Sequence, residues 1–94
     1  MKTQKAINVF IGSHITEIRE NNKVSVNTLA KAIGLTRASV SNMEAGRQQV
    51  SIDKLFDIAI FFNKDILSFL PDKKWYSQTK NKQVRMVVTY EITD

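Results

Sequence analysis

The stretch that most constrains the fold runs from Gly34 to Gly46. Thr36 can cap a helix there, because its hydroxyl can accept a hydrogen bond from a free backbone N–H group of the first turn. Val40 and Met43 lie three residues apart, so both can face inward. Gly46 can adopt the left-handed conformation that ends a helix. We therefore predict a short helix over residues 36–45 with a polar outer face.

A second short helix is predicted immediately before this stretch. Ser25 is placed to cap a helix over residues 26–33, and Gly34 is placed to end it. The residues expected on its buried stripe are Leu29, Ala30 and Ile33. Two short helices joined by a three- or four-residue glycine turn form the helix-turn-helix unit.

The flanking segments predict three further helices. Apolar residues recur at threes and fours over residues 5–21, which indicates an amphipathic helix, although residues 7–11 are also compatible with a strand. Ser51 is placed to cap a fourth helix, and residues 65–70 predict a short fifth one. The stripe expected to be buried on the fourth helix is Ile52, Leu55, Ile58, Ala59 and Phe62. Apolar residues in excess of that stripe are Phe56, Ile60, Phe61 and Leu67.

Three residues of these predicted helices call for a structural explanation. Gly12 weakens the first helix, and we attribute it to the close approach of another backbone. Glu44 is expected to be structural, either bonding a neighbouring backbone or pairing with an arginine such as Arg19. His14 is a lone histidine without a second histidine or cysteine for a metal site, so we place it at the surface or the boundary.

The C-terminal part differs in composition from the helices. Residues 72–83 predict a basic, polar linker, and residues 84–92 alternate as a strand does. The strand's expected apolar face is Val84, Met86, Val88, Tyr90 and Ile92. A lone strand exposes unpaired backbone groups, so we expect it to pair with the same strand of a second subunit. The alternatives are pairing within the chain or addition to a partner protein's sheet.

The composition limits the classes of function. Ninety-four residues without cysteine favour one small domain without disulfides or thiolate metal sites. One histidine and no carboxylate cluster with a base argue against an enzyme, and no cofactor is expected. No apolar run is long enough for a membrane span or a signal peptide, which predicts a cytoplasmic protein. The net charge of +5 favours a polyanionic partner.

The combined pattern of these predicted helices extends over residues 7–70. It consists of Ile11-Gly12, Ile15, Glu17-Ile18-Arg19, Leu29-Ala30, Gly34, Val40-Ser41, Glu44, Gly46, Ser51, Leu55, Ile58-Ala59 and Leu70. This pattern resembles the Cro/repressor-type helix-turn-helix family, also called the xenobiotic-response-element (XRE) family. The resemblance implies a mainly α, five-helix DNA-binding domain over residues 1–71, followed by a linker and dimerisation strand over 72–94. The family commonly has a phosphate-contacting glutamine where this chain has Val26.

The resemblance implies that the third helix enters the major groove of double-stranded DNA. Arg37 can then contact guanine or a phosphate, Asn42 can pair with adenine, and Ala38 can touch a thymine methyl group. Ser39 and Ser41 are less discriminating. The further DNA contacts expected are Asn27, Thr28 and Lys31 on the second helix, and Arg47, Gln48 and Ser51 in the family's backbone-contacting loop. Arg37 has a competing interpretation as an ordinary solvated arginine.

These features together predict a function. We expect a homodimeric, sequence-specific DNA-binding protein that regulates transcription, as a repressor, from a roughly palindromic site. The alternative is an antitoxin-type protein that binds a partner toxin and autoregulates its operon. Trp75 and Tyr76 are expected to pack against the domain or a second subunit, with base stacking as the alternative.

Overall fold

The computed structural model describes residues 2–84, and the regular elements of this range are all helical. The elements in chain order are α1 (Lys2–Asn21), α2 (Val26–Ile33), α3 (Arg37–Glu44), α4 (Ile52–Phe62), a 3-10 helix (Ile66–Phe69) and α5 (Lys73–Val84). The strand considered for residues 7–11 is wrong, because they lie within α1. The predicted fifth helix is confirmed as a single 3-10 segment.

Helix caps set the bounds of α2, α3 and α4, as the sequence predicts. Ser25 accepts a hydrogen bond from the backbone N–H of Thr28 at 3.0 Å, and Thr36 accepts one from Ser39 at 3.1 Å. Ser51 caps α4 in the same way. Each cap satisfies a backbone donor that the helix itself leaves free. Gly34 ends α2 in the left-handed conformation, with φ 72°.

One apolar core joins the helices. Helix α3 packs against α1 and α2, α4 packs against α2, and the 3-10 helix packs against both α1 and α4. The buried apolar residues are Ile11, Ile15, Leu29, Ala30, Ile33, Val40, Met43, Val50, Leu55, Ile58, Ala59, Phe62 and Phe69. Burial of each large side chain among them stabilises the fold by about 1.5–3 kcal/mol. This core holds α3 at the surface by its apolar side.

Residues 73–84 form a helix, which corrects the prediction of a linker. The Asp72 carboxylate accepts a hydrogen bond from the Trp75 backbone N–H at 2.7 Å. The Trp75 ring then packs on Phe10 of α1, with 5.1 Å between ring centroids. A polar segment with few apolar residues is therefore helical with the support of the Asp72 cap and of packing against α1.

The predicted C-terminal strand does not begin at Val84, because Val84 is the last residue of α5. No strand occurs between residues 2 and 84. The other residues of the predicted apolar face, Met86, Val88, Tyr90 and Ile92, lie outside the described residues. The pairing of this strand and the division into residues 1–71 and 72–94 stay predictions.

The apolar residues of α4 form two stripes rather than one. The core stripe comprises Leu55, Ile58, Ala59 and Phe62. Ile52 was predicted to belong to it, but its side chain is 64% exposed. Residues 52, 56 and 60 are four apart, so they align along a neighbouring face of the helix. The apolar residues in excess of one stripe are exposed, at 48% for Phe56, 74% for Ile60, 40% for Phe61 and 68% for Leu67.

Candidate nucleic-acid interface

Helix α3 presents a small, polar surface. Val40 and Met43 are buried, as predicted, and they fasten the helix to the core. Arg37 and Ala38 are exposed in the first turn. The remaining predicted base contacts, Ser39, Ser41 and Asn42, are half-buried. Their short side chains let another molecule approach the helix closely while still offering hydrogen-bond donors and acceptors.

The single acidic residue of α3 is paired with an arginine of α1. Arg19 Nε donates to Glu44 Oε2 at 2.6 Å, and Arg19 Nη2 donates to Glu44 Oε1 at 3.0 Å. Both side chains are nearly buried, with exposures of 12% and 10%. Arg19 Nη1 also donates to the Val24 carbonyl at 2.8 Å. The predicted pairing of Glu44 with Arg19 is confirmed, and it ties α3 to α1 and to the turn before α2.

This pair keeps negative charge away from the exposed side of α3. The hydrogen bonds that Arg19 donates to Glu44, together with the Coulomb attraction of that carboxylate, raise the pKa of the Arg19 guanidinium against the opposing effect of burial, so Arg19 stays charged. The Glu44 carboxylate is therefore matched by a fixed positive charge within the domain. A polyanion that approaches α3 is therefore attracted by Arg37 and is not repelled by an unpaired carboxylate of the same helix.

Gly12 lets the backbones of α1 and α3 touch. A Cβ atom at this position would lie 2.3 Å from the Met43 carbonyl oxygen and 2.6 Å from that of Glu44. Real Cβ atoms do not approach backbone oxygens so closely. The close backbone approach predicted for Gly12 is confirmed, and it positions the C-terminal end of α3.

A hydrogen bond that the sequence did not reveal joins Asn42 to the loop after α3. Arg47 Nε donates to Asn42 Oδ1 at 3.0 Å. The two residues are five apart, and the chain turns between them at Gly46, with φ 78°. The bond uses one donor of the guanidinium and one lone pair of the amide oxygen. Arg47 therefore orients Asn42. This bond does not use the amino group of Asn42 or the two Nη groups of Arg47, which can still donate hydrogen bonds.

The other predicted DNA contacts lie in the segments on either side of α3. On α2, Asn27, Thr28 and Lys31 are exposed, and the Thr28 hydroxyl accepts a hydrogen bond from Ser25 Oγ at 2.9 Å. After α3, Gln48 and Ser51 are exposed. The Ser51 hydroxyl is used within the fold as the cap of α4.

The first turn of α4 places one acid beside this loop. A hydrogen bond with Ser51 lowers the pKa of the Asp53 carboxyl, and backbone N–H groups of the same turn add to the effect. The helix dipole also favours a carboxylate at this end of a helix. The pKa of Asp53 is therefore lowered by the cap residue Ser51 and by the first turn of α4, and the carboxylate stabilises the start of that helix.

Two further predictions concern residues outside this surface. His14 is half-buried and stacks on Phe10 at 4.2 Å between ring centroids, so its placement at the boundary is confirmed. Trp75 packs on the domain, as expected, whereas Tyr76 is 38% exposed. The described residues hold no group of three metal-binding side chains. None of the helices within residues 2–84 could cross a membrane.

The helix-turn-helix family model HTH_3 matches residues 15–69, which is more than half of the chain. The chain belongs to the XRE-type helix-turn-helix family. Members of this family are DNA-binding regulators of transcription. The matched range runs from the middle of α1 to the 3-10 helix, so it contains α3 and both flanking segments.

One relative is similar to this chain in sequence, and a solved structure is similar to it in fold. A protein of Thermococcus kodakarensis, named as an HTH-type transcriptional regulatory protein, is 40% identical over 62 residues, which are 60% of this chain. The chain matches 20% of that protein's length. The crystal structure of the restriction-modification controller protein C.AhdI from Aeromonas hydrophila superposes with a TM-score of 0.64 at 27% identity, covering 67% of this chain and 96% of that one.

An enzyme contains the same fold. Hydroxypropylphosphonic acid epoxidase of S. wedmorenis superposes with a TM-score of 0.66 at 24% identity, over 71% of this chain and 36% of the enzyme. At this identity the likeness concerns the fold alone. A fold by itself does not determine an activity, so the function must be argued from the surface of α3.

Proposed function

We propose that this XRE-family chain represses transcription by binding a specific double-stranded DNA site with α3 in the major groove. The observation that carries the proposal is the Arg19–Glu44 pair. It fixes α3 against α1 and neutralises the single carboxylate of α3. What remains exposed is a short helix with one arginine, small polar side chains and no free acid.

The chemistry of α3 suits the edges of base pairs. Arg37 can donate two hydrogen bonds to guanine, and Asn42 can pair with adenine in the same bidentate way. Ala38 can contact a thymine methyl group, while Ser39 and Ser41 make less selective contacts. Phosphate contacts set the register of a protein on DNA. Their proposed sources are Asn27, Thr28 and Lys31 of α2 and Arg47, Gln48 and Ser51 after α3.

We also propose a homodimer, because one short helix offers few base contacts. The exposed apolar residues of α4 and the 3-10 helix support this: Ile52, Phe56, Ile60, Phe61 and Leu67. We call these residues the apolar patch. Apolar surface of this kind commonly marks a protein interface. In a symmetric dimer the part of the predicted strand that follows Val84, residues 85–92, would pair with its copy, and two α3 helices would address two half-sites about one DNA turn apart.

The antitoxin alternative draws on the same apolar patch. A partner toxin would cover those side chains as well as a second copy would, so the patch favours neither over the other. Binding to a palindromic site needs two copies of α3, and the homodimer alone supplies them. We therefore propose the homodimeric repressor.

The test begins by selecting bound sites from random double-stranded DNA with the purified chain. Arg37→Ala combined with Asn42→Ala should weaken binding to the selected site about 30-fold to 10⁴-fold, since each bidentate base contact is worth about 1–3 kcal/mol. Lys64→Ala, at the far end of α4, is the control and should bind as the parent does. Equal binding by the double variant and the parent would show that α3 does not read the site.

Repression has its own measurement. The selected site is placed across a promoter, and transcription is followed in vitro as the chain is added. We expect transcript levels to fall with occupancy of the site. A rise in transcript would identify an activator instead.

A further inference from the structure

A cleft of 490 Å³ opens beside the C-terminal end of α3. It lies between the first turns of α1 and the residues that follow α3. The residues that line it are Gln4, Lys5, Asn8, Ala45, Gly46 and Arg47. The lining contains two cations, two amides and no carboxylate. Such a lining attracts an anion and offers it several hydrogen-bond donors.

Several hydrogen-bond donors of the cleft have no partner among the described residues. Among residues 2–84, no hydrogen bond or ion pair engages the side chains of Lys5 or Asn8. Gln4 Nε2 donates to Gln49 Oε1 at 3.1 Å, which ties α1 to the loop after α3 at the rim. Arg47 Nε donates to Asn42, so the two Nη groups of Arg47 remain available to bind a ligand.

The position of Arg47 links the cleft to the proposed base-reading surface. Its guanidinium is held by Asn42, a residue of α3 itself, at 3.0 Å. Asn42, which we propose contacts a DNA base, therefore orients the Arg47 side of the cleft. A ligand between Arg47 and Lys5 would lie next to the groove that α3 occupies.

We propose that this cleft binds a phosphate group of the DNA backbone, so that α1 extends the interface beyond the helix-turn-helix unit. The proposal rests on the proposed function. Lys5 supplies a charge from α1, Arg47 supplies a fork of Nη donors, and Asn8 adds an amide donor. Because Arg47 is already held by Asn42, little rotamer freedom is lost when the phosphate binds. The shared chemistry, a phosphate oxyanion, could also come from free phosphate, and the test separates the two sources.

The test compares Lys5→Gln with Lys64→Gln on the DNA site selected by the parent chain. Both variants remove one exposed positive charge, but Lys64 follows the C-terminal end of α4 and does not line the cleft. Lys5→Gln should weaken binding about three- to tenfold and reduce the slope of log K against log salt by about 0.9. The base preference should stay the same, because phosphate contacts carry no sequence information. Lys64→Gln should change neither quantity.

Three results would overturn the proposal. In the first, Lys5→Gln and Lys64→Gln show the same affinity and salt slope. In the second, Lys5→Gln alters the base preference. In the third, inorganic phosphate titrated into the DNA-free chain shifts the NMR signals of Lys5 and Arg47, but Lys5→Gln leaves the salt slope of DNA binding unchanged. That combination would assign the cleft to a free anion. If the parent chain selects no DNA site, the proposed function fails, and that outcome is distinct from all three.

Discussion

Helices α3 and α4 are neighbours in sequence but differ in how they are held and in what they expose. Helix α3 is fastened by a nearly buried ion pair and by backbone contact at Gly12, and its outer face is small and polar. Helix α4 is fastened mainly by apolar side chains on its core face, together with one hydrogen bond that Lys54 Nζ donates to the Ile33 carbonyl of α2 at 2.6 Å, and a second apolar stripe remains exposed. The polar framework gives α3 one fixed geometry, which reading base edges requires. The apolar stripe of α4 suits a dry protein contact instead.

The largest expected effect tests how α3 is held. Glu44→Ala leaves the Arg19 guanidinium nearly buried without its carboxylate, so the free energy of unfolding should fall by about 3–5 kcal/mol. Chemical denaturation measures it. Glu17→Ala, which removes an exposed carboxylate from α1, should change it by less than about 0.5 kcal/mol. Similar stabilities for the two variants would show that the ion pair does not hold α3.

The next effect separates the two stripes of α4. Ile58→Ala removes a buried side chain and should cost about 2–5 kcal/mol of unfolding free energy. Ile60→Ala, two residues along and 74% exposed, should cost less than about 0.5 kcal/mol in the monomer. Ile60→Lys should instead raise the dissociation constant of the dimer, measured by sedimentation. If Ile60→Lys has the same dissociation constant as the parent, the apolar patch is not part of the dimer interface.

The smallest effect concerns the start of α4 and depends on pH. The folded state lowers the pKa of Asp53, so its carboxylate adds stability above the unfolded pKa, and this contribution is lost as pH falls through the folded pKa. Asp53→Asn should therefore be less stable than the parent at about pH 6, and the two should converge at about pH 2.5. Denaturation midpoints at both values measure the difference. If the stability difference between Asp53→Asn and the parent were larger at about pH 2.5 than at about pH 6, Asp53 would not stabilise the start of α4 as a carboxylate.

The parts of the site that the sequence predicted rest on local signals. Ser25, Thr36 and Ser51 were identified as caps because capping joins residues only two or three positions apart. The bounds of α2 and α3 followed from them. The sequence predicts two structural roles for Glu44, a bond to a neighbouring backbone or a pair with an arginine such as Arg19, and the structure shows the second.

The failures share a different cause. The sequence predicts a linker where α5 forms, because this segment has little apolar periodicity. Its contact with α1 involves Trp75 and Phe10, which are far apart in the chain. Ile52 was assigned to the core because period alone does not show which of two adjacent apolar stripes faces inward. The Arg47–Asn42 bond needed the turn at Gly46 to bring the two side chains together.

The sequence by itself determined where α2, α3 and α4 begin, the family, and the polar character of α3, since these depend on neighbouring residues and their order. Tertiary structure alone decided which backbone Gly12 admits, which stripe of α4 stays exposed, and that Lys5 of α1 shares a cleft with Arg47. The physical reason is distance along the chain. Each of these features depends on packing between segments that the fold, and not the local sequence, brings into contact.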